Sequence, residues 1–168
     1  METNPERERR IGQTQGLMVF LGALTDGLEG LTGRGAQAIS FRAGRQVGLA
    51  WEVERKEPDL MAALEQVRIE MNRMGINWPF EIYKRQDEAD AVTIDEKGLT
   101  EIKMTFRNCM VRCTLFRYGF PQEMSLCQTK HGLFCGLLEQ IYGVSASLGV
   151  IHSGENACLL KLRFQDKA

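Results

Sequence analysis

The sequence predicts an α+β fold in which a four-stranded antiparallel sheet packs against helices. Three observations carry this. Leucines recur at helical spacing early in the chain, the apolar period switches to alternation after Gly75, and a glycine-bearing apolar helix near the C-terminus precedes two more alternating runs.

Leu17, Leu21, Leu24, Leu28 and Leu31 stand four and three residues apart, one face of a first helix, widened by Met18 and Phe20. Its glycines weaken a helix interior unless another backbone approaches closely, so the stripe reads either as core or as a dimer seam. Gly33-Arg34-Gly35 breaks the pattern, and a second helix is expected from Ala36 to Arg55. Pro58-Asp59 starts a third, with Leu60, Leu64, Val67, Met71 and Met74 as its apolar stripe and Gly75 as its stop.

Trp78, Phe80 and Ile82 alternate with polar residues and Pro79, which predicts an edge strand because proline cannot donate to a ladder. Gln86 to Gly98 is polar and reads as a loop, and Ile102, Met104 and Phe106 make the next strand. Asn108 to Phe120 mixes signals and receives no assignment. Pro121 is expected to open a helix running to about Tyr142. Val144 to Val150 and Cys158 to Phe164 then alternate across the turn Ser153-Gly154-Glu155-Asn156 and predict a closing hairpin.

The 168 residues are expected to form a flexible tail, 1–10, and a single domain, 11–168. A net charge of −1 argues against a nucleic-acid partner. The apolar run Leu17–Leu24 is too short to be a transmembrane segment, and it lacks a signal-peptide cleavage site. With five cysteines and no export signal, the expected compartment is a reducing cytoplasm.

Cys127, His131 and Cys135, spaced by four, fall along one helical face. Thiolate and imidazole suit zinc, and Cys158 or His152 from the closing hairpin would complete a set; inert core cysteines are the alternative. Cys109 and Cys113 beside Arg112 are candidate redox thiols. No nucleophile elbow, phosphate loop or metalloprotease histidine pair occurs, so binding is expected rather than catalysis. Gly132 and Gly136 inside a helix point to close approach by another backbone or by a ligand.

Cys127, His131-Gly132-Leu133-Phe134-Cys135-Gly136-Leu137-Leu138, Gly143, Gly154 and Cys158 together resemble the four-vinyl-reductase, or hydrocarbon-binding, domain family. Phe41-Arg42-Ala43-Gly44-Arg45 is similar to the aromatic-Arg-x-Gly-Arg segment of its second helix, and Asn108-Cys109 to its Asn-Cys step. The resemblance spans most of Ile11 to Phe164. It implies the fold of the ligand-binding domain in NO signalling and Golgi transport, a homodimer through the N-terminal helices, and a pocket for an apolar or aromatic small molecule. Phe106, Met110, Phe116, Phe120 and Phe134 are the candidate lining residues. It also implies a zinc near Cys127 and Cys158, with His152 at the place of the family's glutamate; Ser153 and Glu155 occupy the loop of its middle cysteine.

The expected function is therefore a small-molecule sensor or accessory module that passes its signal to a protein partner. Two alternatives stand beside it. One is an assembly or tethering subunit that binds proteins through apolar helices. The other is a tetrapyrrole-handling reductase or accessory factor with His131 or Cys127 as iron ligand.

Overall fold

In the computed structural model, which describes residues 5–33, 35–86, 90–154 and 156–165, five helices and five strands follow one another as ααα, βββ, αα, ββ. The helices are α1 (Pro5–Thr32), α2 (Gly35–Ala50), α3 (Leu60–Arg73), α4 (Met110–Arg117) and α5 (Ser125–Tyr142). The strands are β1 (Phe80–Ile82), β2 (Val92–Ile94), β3 (Thr100–Arg107), β4 (Ala146–Ser153) and β5 (Ala157–Phe164). The predicted class holds. Of the expected tail, residues 5–10 are helical and residues 1–4 lie outside the described set, as do Arg34 of the first break and Glu155 of the last turn.

Helix α5 lies at the centre, and most of its residues are buried around its full circumference, as a helix apolar on all sides requires. One side packs on the sheet, where Phe134 meets Phe106 edge to face at 5.9 Å and Tyr142 meets Phe164 at 6.0 Å. The opposite side packs on α2, and here the glycines matter. A Cβ on Gly48 of α2 would stand 2.5 Å from the Leu133 carbonyl oxygen, and one on Gly132 of α5 would stand 2.8 Å from the Arg45 amide nitrogen. Gly44 and Gly136 are equally closed by backbone. The close partner foreseen for Gly132 and Gly136 is thus another backbone.

All strand pairs are antiparallel, in the order β1-β3-β5-β4, with β2 also paired to β3. Ile102, Met104 and Phe106 face inward opposite Leu162, Leu160 and Cys158. The sheet has five strands and not four, because Val92–Ile94 pairs with Thr100–Ile102 inside the segment read as a loop. All three β2 residues are exposed, and Val92-Thr93-Ile94 is too short a run for its alternation to stand out from the polar segment around it.

Two helix boundaries also move. Helix α2 ends at Ala50, where α5 takes hold of the chain: Gln140 Nε2 donates to the carbonyls of Leu49 and of Trp51, the latter at 3.1 Å. Helix α5 starts at Ser125 and not Pro121, because Glu123 has a left-handed φ of 66° that no helix can hold. Its first amide is capped from a distance by Glu29 of α1, whose Oε1 accepts from Ser125 N. The unassigned stretch contains α4, with Cys109 as its cap: the thiol sulfur accepts from Arg112 N at 3.4 Å. Helix α3 starts as expected, Asp59 accepting from Ala62 N at 2.9 Å. Among the described residues no helix is long and apolar enough to cross a membrane.

Candidate functional site

The closing hairpin folds over the first half of α5, and a small cavity of about 10 Å³ remains between them. Cys127, Lys130 and His131 of α5 line it from one side, Val150 and Ser153 of β4 and Cys158 and Leu160 of β5 from another. Trp78, Cys109, Arg112, Gln122 and Glu123 complete the wall. The volume holds about one water molecule.

Its polarity is unusual for a core. Six buried side-chain N or O atoms among the described residues have no hydrogen-bond partner, and four of them belong to residues of this wall: Trp78 Nε1, Arg112 Nε, Gln122 Nε2 and His131 Nδ1. A buried polar atom left unpaired costs about 1–3 kcal/mol, and three of the four, on Trp78, Arg112 and Gln122, are N–H donors, which marks a place suited to something that accepts hydrogen bonds. Burial, reinforced by the neighbouring charge of Lys130, pushes the His131 pKa down to about 3, so its ring is neutral at physiological pH. The ring stacks on Trp78 at 5.9 Å with 10° between planes.

Lys130 is the central cation. Its Nζ lies 3.7 Å from the Trp78 ring centroid and directly against Cys109 Sγ. Arg112 ties α4 to the hairpin turn, Nη1 donating to the Gly154 carbonyl at 2.9 Å, and Glu123 accepts from Ser153 Oγ. Burial raises the Cys127 thiol to about 11 and raises Cys158 as well, so both stay protonated at neutral pH.

On its other flank Lys130 lines a second cavity, of about 240 Å³, between α1, α2, α4 and α5. Met18, Val47, Ile76, Met110, Leu126 and Leu133 give it an apolar wall. A polar chamber and an apolar one thus share a single lysine.

The structure brings Cys127 and Cys158 to the same cavity, with Cys109 beside them. His152 stands elsewhere. A β-bulge between Val150 and His152 turns Ile151 and His152 to solvent and brings Ser153 inward opposite Cys158. Cys135 is buried but does not line the cavity, and burial raises its pKa to about 12. Among the described residues no group of three or more His, Cys, Asp or Glu is arranged to hold a metal ion. Lys130 Nζ already places a cation against the Cys109 sulfur.

Of the five aromatic and methionine candidates, Met110 lines the apolar cavity. Phe106 and Phe134 are fully buried in a ring cluster with Trp78 and Phe80. Phe116 is 56 % exposed, and Phe120 packs on Gly22 of α1. Lys130, Gln122 and Glu123 were not anticipated as site residues. The available signal was a single cation inside a largely apolar helix, which calls for a partner.

No family model matches the chain, and no curated protein does. A solved structure does. It is the crystal structure of the phenol-responsive sensory domain of the transcription activator PoxR with phenol. The fold is shared with that sensory domain. The two agree with a TM-score of 0.56 over 86% of this chain and 73% of that one, at 14% sequence identity.

Proposed function

We propose that this chain is a small-molecule sensory module whose ligand is a ring-sized, mainly apolar molecule carrying one group that accepts hydrogen bonds. One observation supports this above the others: unpaired donors of Trp78, Arg112 and Gln122 surround a cavity that shares Lys130 with an apolar cavity of about 240 Å³. A ring in the apolar cavity would meet those donors once Lys130 moves aside. The ring would supply burial, and the acceptor group would supply orientation and selectivity. The fold shared with a phenol-responsive domain points the same way.

Calorimetric titration with phenol and with toluene tests the reading. Saturable binding of phenol, weaker for toluene by tenfold or more, is the expected result. Equal binding of both removes the acceptor clause, and binding of neither overturns the proposal. Zinc at Cys127 and Cys158 would belong to a separate state in which Lys130 has withdrawn from the thiols. Metal analysis of the purified protein tests that state, with stoichiometric zinc as the positive outcome.

A second reading, assembly through α1, has its own observation. Leu17, Phe20, Leu24, Leu28 and Leu31 are all exposed along one helix. We propose a second copy of this chain as the occupant, since a stripe that repeats by three and four along two α1 helices can pack on itself.

A further inference from the structure

Cys109 Sγ and Lys130 Nζ are in direct contact inside the protein, 1 % and 7 % exposed respectively. Among the described residues no carboxylate forms a salt bridge with Lys130; its neighbours are the thiol and the Trp78 face. Amine and sulfur held together out of water meet the geometric requirement for covalent coupling, because neither has to travel. We propose that Lys130 and Cys109 form a redox pair that closes to an N–O–S bridge.

The step balances with dioxygen as oxidant. The Lys130 ammonium, the Cys109 thiol and one dioxygen give the Lys–NH–O–S–Cys bridge, one water and one proton. Nitrogen and sulfur each give up two electrons, and dioxygen takes all four; one oxygen atom bridges and the other leaves as water. The other route open to an oxidised cysteine is a disulfide with a neighbouring thiol. Cys127 and Cys158 line the same cavity, but among the described residues neither thiol is hydrogen-bonded to the Cys109 sulfur, whereas the Lys130 amine is. The amine in contact has the advantage. The bridge does not depend on any ligand, but under the function proposed above it would pin Lys130 and hold the two cavities apart.

Intact-mass spectrometry of the full chain tests this. After exposure to air or hydrogen peroxide, the mass is expected to rise by about 14 Da, one oxygen gained and two hydrogens lost, and to return with dithiothreitol. Tryptic mapping should then lose cleavage after Lys130 and join its peptide to the one holding Cys109. Cys109→Ser abolishes the shift, and so does Lys130→Arg, which keeps the cation. A loss of about 2 Da from a disulfide, a gain of about 16 or 32 Da without joined peptides, or an unchanged mass overturns the proposal. The wild-type mass alone decides it, so an unstable variant leaves the answer intact, and phenol binding does not enter the readout.

Discussion

Lys130 Nζ stands 3.7 Å from the centre of the Trp78 ring, a buried ammonium resting on an aromatic face that is itself 3 % exposed. Out of water such a pair couples by about 2 kcal/mol. A double-mutant cycle of Trp78→Leu and Lys130→Met, followed by urea unfolding, should return a favourable coupling of about 1–2 kcal/mol. Additive losses would mean that the ring and the cation merely share space.

The α2–α5 seam makes a sharper prediction. Alanine normally favours a helix over glycine by about 1 kcal/mol. At Gly132 and Gly48 the added methyl meets main chain on the facing helix, which no rotamer can relieve. Gly132→Ala and Gly48→Ala should each destabilise by about 3 kcal/mol, seen as a lower urea midpoint. Gly12→Ala, where nothing lies within 4 Å of the new atom, should be neutral or stabilising and serves as the control.

Stability should be greatest between roughly pH 6.5 and 9. Below pH 6.5 the unfolded chain protonates His131, while the folded chain holds it neutral down to about 3, so unfolding gains with falling pH. Above 9 the unfolded chain ionises Cys127, while the folded chain keeps its proton up to about 11, so unfolding gains with rising pH. Urea midpoints from pH 4 to 10 should trace this dome. His131→Leu should flatten the acid limb, whose slope from this one group approaches about 1.4 kcal/mol per pH unit.

The α1 stripe predicts association. Light scattering should give twice the chain mass of 19.0 kDa, and Leu24→Glu should return it to that value. A monomer before substitution would refute the second copy.

How far the sequence could be read depended on whether a single element or its neighbours decided each feature. Helix α3 and strands β3 and β5 were legible because one buried face imposes its period locally. Gly132 and Gly136 betrayed a close partner for the same reason, although not which one. Strand β2 escaped because Val92-Thr93-Ile94 is too short a run to stand out from the polar segment around it. The site was less legible. Alternation puts Val150 and His152 on one face, and a bulge invisible in composition exchanges His152 for Ser153. Trp78 was placed as a strand residue just before β1, but its ring lies against Lys130, a relation created by α5 crossing that end of the sheet.

The irregularity in β4 has a consequence for how such a pocket can change its chemistry. One surplus residue, Ile151, decides whether a hydroxyl or an imidazole looks toward Cys158. Sliding that surplus out of the strand and into the turn would continue the register of Ala146 to Val150 and set His152 opposite Cys158, so that a change of pairing alone would hand the thiols a nitrogen donor without altering any residue.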